Sequence, residues 1–76
     1  MNKNRRQRLF EIQTALNDLK EKLEEIMDEE QDAFDNLPEG LQMSERGEAM
    51  EEAIENISSA IDNLDEASDA IEEATA

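Results

Sequence analysis

The side chains that could do chemistry in this 76-residue chain are carboxylates, with four arginines as their main counterpart. There are 22 Asp and Glu residues against 7 Lys and Arg, and His, Cys, Trp and Tyr are all absent. His and Cys are the usual general base, nucleophile and transition-metal ligands, so the chain lacks the groups on which most catalytic sites depend. We therefore predict a protein that is not an enzyme, with no catalytic residues, no cofactor and no metal.

The carboxylates match known metal and acid–base patterns only in part. Five oxygen-bearing residues match the first, third, fifth, ninth and twelfth positions of a calcium loop, namely Asp28, Glu30, Asp32, Asn36 and Glu39. That loop needs Gly at its sixth position for a sharp turn, and this chain has Ala33 there within helix-forming sequence. Neighbouring carboxylates on a helix point in different directions, so a solvated surface is the preferred interpretation.

The arginines form a second candidate site. Arg5, Arg6 and Arg8 are the one concentrated cationic patch, and Arg46 lies seven residues before Ala53, which would place it at the edge of a bundle face. A guanidinium donates paired hydrogen bonds to phosphate oxygens, so these four residues are the candidate ligands of a small anionic nucleotide. The alternative is ion pairing with the acidic C-terminal turn and with Glu45. Direct nucleic-acid binding is not expected, because cations are few and no aromatic stacking platform is present.

Apolar residues recur at alternating steps of three and four, which predicts two long helices. In the first half they are Leu9, Ile12, Leu16, Leu19, Leu23, Ile26, Ala33 and Leu37, and in the second half Met50, Ile54, Ile57, Ile61, Leu64 and Ile71. We predict an all-α, coiled-coil-like antiparallel two-helix hairpin forming a single domain over residues 1–76. Helix one covers about 4–36, the connector 37–43 and helix two about 44–74.

The connector carries the clearest local signals. Pro38 disfavours a helical conformation at the residue before it, Gly40 adds a flexible position, and Ser44 is the best N-cap for the second helix. Four apolar residues surround this turn, namely Phe34, Leu37, Leu41 and Met43. They are expected to pack beneath the turn, and a partner-binding tip is the alternative.

The second helix predicts self-association. Ala53, Ala60, Ala67 and Ala74 are seven residues apart beside the apolar stripe, which widens it enough for a second neighbouring helix. A chain of this size buries only about 60% of its unfolded surface, so association would supplement a small core. We predict a four-helix-bundle homodimer or a higher oligomer. The alternative is that the alanines are helix formers on a solvated surface.

Two segments resemble a group of short acidic helical proteins encoded by tailed phages and prophages. They are FDNLPEGLQ at residues 34–42 and SERGEAMEEAI at residues 44–54, and the resemblance covers about half of the chain. It implies the cytoplasm of an infected or lysogenic bacterial cell, in keeping with the lack of a membrane span or signal core. Small phage proteins of this kind often oppose host defences, some as acidic nucleic-acid mimics and others as helical sponges for nucleotide immune signals.

Three functional hypotheses follow. The first is a homo-oligomeric binding protein that sequesters a nucleotide signal. The second is an acidic protein-interaction module, or nucleic-acid mimic, that blocks a basic host protein, since its net charge is -15. The third is a small structural bundle in phage assembly that uses the apolar connector as its contact point.

Overall fold

The computed structural model describes all 76 residues, and the chain is entirely helical apart from its ends and connections. Its elements are α1 (Lys3–Asp35), α2 (Glu39–Gln42) and α3 (Glu45–Thr75). The all-α prediction is confirmed. The molecule is extended, with dimensions of 58 × 15 × 13 Å. None of the helices combines the length and the apolar character that crossing a bilayer requires.

The two long helices lie side by side and run in opposite directions. Near the start of α1, the Gln13 side-chain amide donates to the backbone oxygen of Ser68, near the end of α3, at 3.2 Å. About two turns further along α1, the Lys20 ammonium lies 2.8 Å from a carboxylate oxygen of Asp65. A helix of 33 residues is about 50 Å long, so the 58 Å dimension accommodates the helices only when they overlap.

The surface of α1 that contacts α3 is rotated from the predicted one. Leu9, Leu16 and Leu23 are half-buried as predicted, but the half-buried positions that alternate with them are Gln13, Lys20 and Met27, each one residue beyond a predicted position. The predicted residues Ile12, Leu19 and Ile26 are instead 49%, 49% and 50% exposed. Apolar side chains cover more of the α1 circumference than one neighbouring helix can bury, so half of the predicted stripe remains in solvent.

The connector contains a short helix that the sequence pattern did not predict. Pro38 precedes α2, and its carbonyl accepts from the amides of Leu41 and Gln42 at 2.8 and 3.1 Å. Gly40 lies within α2, and no glycine in the chain has a positive φ, so its conformational freedom is not used. The predicted cap is confirmed: Ser44 is the N-cap of α3, and its hydroxyl accepts from the Gly47 amide at 3.4 Å.

Gln42 connects the turn to the end of α1. Its side-chain amide donates to the carbonyls of Phe34 and Leu37 at 3.2 and 3.3 Å. These carbonyls lie where the helical hydrogen-bond pattern of α1 stops, and Gln42 supplies each with a side-chain donor, in addition to the Leu37 amide that donates to Phe34 at 3.0 Å. This single side chain fixes the position of the connector relative to α1.

The interior of the chain is very small. Ile61 is the one buried apolar residue, with 7% of its surface exposed, and 2 of the 76 residues are buried in total. The other buried residue is Gly47, where the start of α3 approaches the end of α2. A single chain therefore has little hydrophobic stabilisation of its own.

Candidate functional site

One side of the helix pair is held by polar interactions, and we call it the bonded face. Gln13 and Lys20 of α1 are seven residues apart and meet Ser68 and Asp65 of α3 across it. Residues seven apart lie on one stripe of a helix, so Met27 and Phe34 continue the same stripe towards the connector. The polar groups of this face are therefore paired with one another within a single chain.

Lys20 is the one group whose pKa is clearly shifted. Its hydrogen bond to Asp65 raises the pKa of the ammonium above its ordinary value, and partial desolvation acts in the opposite direction. The charges of Asp65, Glu24 and Asp62 raise the pKa further. Lys20 also lies 4.0 Å from Glu24 on its own helix, so it serves as the cation of a small acidic cluster.

The other side of the helix pair is apolar and uncovered, and we call it the open face. Its α1 stripe is formed by the half-exposed residues Ile12, Leu19 and Ile26. A groove of about 540 Å³ runs between the helices here. Its apolar lining consists of Leu19, Leu23, Ile26, Ala60 and Leu64. The alanine stripe of α3 extends this face along its length, since Ala53, Ala67 and Ala74 are spaced by sevens from Ala60.

Two of the four candidate arginines lie at one end of the open face. Arg5 precedes Ile12 by seven residues and therefore shares its stripe. Together with Arg8 it lines a recess of about 240 Å³ whose other walls are Met1, Leu9 and Ile12. Two guanidinium groups beside an apolar surface form a site that suits a phosphate attached to a hydrophobic group.

The structure does not bring all four arginines together. Arg6 shares the stripe of Gln13 and lines a separate recess of about 260 Å³ with Lys3, Gln7, Phe10 and Thr75. Arg46 belongs to the first turn of α3, at the connector end of the molecule. Because the two long helices are antiparallel, Arg46 lies at the opposite end from Arg5.

The alternative interpretation of the arginines was ion pairing within the chain, and the structure contains no close ion pair of an arginine. The chain contains two ion pairs within 4.0 Å, and both involve Lys20. Arg6 and Thr75 line one recess, so the arginines do lie at the same end as the acidic terminus of α3. Their side chains remain exposed in solvent rather than forming contacts with those carboxylates.

The apolar residues of the connector divide into two pairs. Phe34 and Leu37 are half-buried, as expected for side chains that pack beneath the turn. Leu41 is 46% exposed and Met43 is 86% exposed, which makes Met43 the most exposed large apolar residue of the chain. Packing under the turn therefore accounts for the first pair, and the second pair forms an apolar tip.

The carboxylates are distributed along the helices rather than gathered into a site. Asp28, Glu30 and Asp32, which match part of a calcium loop, all lie within α1. No group of three or more Asp and Glu side chains is placed to hold a metal ion. Of the 22 acidic residues, Glu24 and Asp65 are the two that take part in ion pairs.

The chain matches no protein-family model, no curated protein and no solved structure. The open face, the arginine recess and the acidic surface are the features of the structure that bear on function.

Proposed function

We propose that this protein is a non-enzymatic, phage-encoded binding protein that opposes a host defence by sequestration. In this proposal the paired long helices act as a hairpin unit, and hairpins associate into a homo-oligomeric helical sponge for a small anionic nucleotide. The observation that supports it most directly is the recess in which exposed Arg5 and Arg8 lie beside Met1, Leu9 and Ile12. Neither arginine has a carboxylate within 4.0 Å.

The recess combines the two properties that a nucleotide requires. Guanidinium groups donate paired hydrogen bonds to phosphate oxygens, and an apolar wall can contact a base or sugar. The remainder of the chain repels an anion, because the net charge is -15. Self-association would offset this repulsion, since symmetry brings arginines from different chains together. The sponge hypothesis therefore requires an oligomer.

Native mass spectrometry of the protein purified from bacterial lysate tests this function. An oligomer that retains an added mass of several hundred daltons is the expected result. Titration with a cyclic dinucleotide, ATP and inorganic phosphate as probes then identifies the class of anion. A bare oligomer that binds none of these probes contradicts the sponge hypothesis.

The arginines provide a matched pair of variants for the same titration. We expect Arg5→Glu to abolish nucleotide binding, because it reverses a charge in the recess of the open face. Arg6→Glu is the control, with the same charge change one residue away on the other stripe. Equal losses in both variants would indicate a non-specific electrostatic effect. Circular dichroism checks that both variants remain helical.

The acidic surface supports a second candidate function. Nearly all of the carboxylates are without a cationic partner, so an elongated negative surface is available to a basic host protein. Binding of this kind weakens steeply with salt, because exposed charges are screened within about 8 Å at physiological ionic strength. A pull-down from host lysate at low and high salt distinguishes this acidic module from the sponge.

The exposed tip supports the third candidate, a structural bundle in phage assembly. Leu41 and Met43 present apolar surface at the connector end, away from the arginine recess. If the tip is the contact point, Met43→Ser should remove binding to the assembly partner without changing helicity or oligomer mass. An unchanged interaction in that variant would exclude this role for the tip.

A further inference from the structure

We propose that the open face binds a second copy of this chain with its ends reversed, so that α1 lies over the partner's α1 and α3 over the partner's α3. This inference rests on the self-association in the proposed function and adds the surface, the direction and the register. It concerns the open face defined by Ile12, Leu19 and Ile26 of α1 and by the alanine stripe of α3.

The open face has the size and composition of a dimer interface. The open face runs along a molecule 58 Å long and 15 Å wide, and one whole side of such a molecule is comparable in size with the roughly 800 Å² that each partner contributes to a standard interface. Its three large α1 residues are each about half exposed, in a chain with one buried apolar residue. Covering this face would therefore create most of the hydrophobic core that one chain lacks.

The bonded face is a poor choice for the same contact. Its central positions on α1 are Gln13 and Lys20, whose polar groups are already engaged by Ser68 and Asp65. Burying an ion pair beneath a second chain costs desolvation that its mutual attraction seldom repays. The groove of the open face is lined mainly by apolar side chains, with Lys22 and Asn63 as its polar residues.

The distribution of charge selects the reversed direction. Residues 25–55, at the connector end, contain twelve acidic residues and a single base, Arg46. Placing two such ends together brings the most acidic parts of both chains into proximity. Reversing one chain puts this end beside the less acidic end of the other, which holds six of the seven basic residues among ten acidic ones. Arg8 lies on the stripe that flanks Ile12, and Glu29 lies on the same stripe near the connector end. In the reversed dimer each Arg8 meets the partner's Glu29.

Full overlap of the two rods also sets the register. The midpoint of α1 is Leu19 and that of α3 is Ala60, and both line the groove of the open face. A two-fold axis at this level places Leu19 against the partner's Leu19, because residues near the axis of a symmetric dimer meet their own copies. Ile12 then faces the partner's Ile26. The small residues of the alanine stripe allow α3 to approach its copy closely.

This arrangement completes the arginine recess from a second chain. Arg46 shares the alanine stripe of α3 and therefore lies on the open face. Reversing the partner brings the partner's Arg46 to the level of Met1 and Arg5. Since Arg8 is matched with the partner's Glu29, the ligand-facing pair becomes Arg5 and the partner's Arg46, and each dimer carries two equivalent sites.

Cysteine cross-linking tests the proposal, and the natural chain is suited to it because it contains no cysteine. Under mild oxidation we expect Leu19→Cys alone to form a covalent dimer. Ile12→Cys and Ile26→Cys should cross-link when mixed but not when each is alone. A disulfide requires Cα atoms about 4.4–6.8 Å apart, so each of these results reports a specific contact. Asn17→Cys is the control, since it is exposed at the same level but lies off the open face.

Three results would overturn the proposal. In a dimer whose like ends lie together, α1 lies over the partner's α3, so a mixture of Leu19→Cys and Ala60→Cys would cross-link while Leu19→Cys alone would not. Cross-linking of Asn17→Cys instead of Leu19→Cys, or a monomeric protein at micromolar concentration, would exclude the open face. These measurements use no ligand, so a dimer with the expected cross-links that binds no nucleotide contradicts only the proposed function.

Exchanging the charges of Arg8 and Glu29 gives an independent check that the two chains of the dimer run in reversed directions. Arg8→Glu should weaken the dimer by placing two acidic groups together, and Arg8→Glu combined with Glu29→Arg should restore it. The dissociation constant from sedimentation equilibrium is the measurement. Failure of the double variant to recover affinity, with helicity unchanged, contradicts the pairing of Arg8 with the partner's Glu29.

Discussion

At the scale of single residues, the two glycines of the chain occupy very different surroundings. A Cβ atom at Gly47 would lie 2.0 Å from the backbone oxygen of Gln42 and 2.7 Å from that of Leu41. A Cβ atom at Gly40 would meet nothing within 4 Å. Gly47 is thus required by the close approach of α3 to the connector, whereas Gly40 is an ordinary helix position.

Substituting alanine at each glycine tests this difference. We expect Gly47→Ala to lower the free energy of unfolding by about 1–3 kcal/mol, since backbone atoms must move to admit the methyl group. Gly40→Ala should raise it by about 0.5–1 kcal/mol, because alanine loses less conformational entropy in a helix. Urea unfolding followed by circular dichroism, at one protein concentration, measures both. A Gly47→Ala protein as stable as the natural one would contradict the contact with Gln42.

Lys20 makes stability depend on pH in the alkaline range. Its pKa is raised in the folded chain, chiefly by the hydrogen bond to Asp65, so the folded state holds this proton more tightly than the unfolded state. The stabilisation is therefore complete below the unfolded pKa of about 10.4 and disappears as pH rises through the higher folded pKa.

Comparing the natural protein with Lys20→Gln across this range measures the effect. We expect the natural protein to be the more stable one at pH 9 and the difference to shrink at pH values above about 10.4. Lys22→Gln is the control, because Lys22 takes part in no ion pair. A difference that stayed constant with pH would show that Lys20 acts through packing of its aliphatic stem instead.

At the scale of the helices, α1 and α3 lie along each other for most of their length, but Ile61 is the one apolar residue that is buried. The remaining apolar side chains of both helices are half-buried or exposed. The stability of the two long helices therefore depends largely on local helix propensity and on the contact that covers the open face. Ile61 and Ile26 report these two contributions separately.

Removing one methylene at each position distinguishes the contributions. We expect Ile61→Val to lower the free energy of unfolding by about 1 kcal/mol at every protein concentration, because that side chain is buried within one chain. Ile26→Val should have little effect in dilute solution and a larger one as concentration increases. Thermal unfolding over a hundredfold concentration range provides the measurement. A concentration-independent effect at Ile26 would argue against its burial by a second copy.

At the scale of the whole molecule, the net charge of -15 dominates every association. Two copies repel each other, and a basic partner is attracted. Salt screens both interactions, with a Debye length of about 10 Å at 0.1 M. The sign of the salt effect therefore separates self-association from capture of a basic protein.

We expect self-association to strengthen between about 20 mM and 500 mM NaCl, because screening reduces the repulsion between like-charged chains. Binding to a basic host protein should weaken over the same range. Sedimentation equilibrium of the protein alone checks the first effect, and titration with the captured partner checks the second. Weaker self-association at high salt would mean that ion pairs, rather than apolar contact, hold the oligomer.

The sequence by itself determined the helices and the cap between them. Apolar spacing of three and four, an absence of internal proline and the hydroxyl of Ser44 are local signals, and each acts through residues a few positions away. The same reasoning singled out Arg5, Arg6, Arg8 and Arg46 as cations. It did not anticipate α2 or the role of Gln42, because both depend on how the connector folds against the end of α1.

Only the tertiary structure decided which part of the apolar surface one chain buries. The heptad pattern made Ile12, Leu19 and Ile26 core residues, but α3 packs one position further round and leaves them in solvent. The choice depends on the polar contacts of Gln13 and Lys20 with residues more than forty positions away, and periodicity carries no information about such pairs. Arg5 and Arg8 likewise lie on a different side of α1 from Arg6, because neighbouring residues on a helix point about 100° apart.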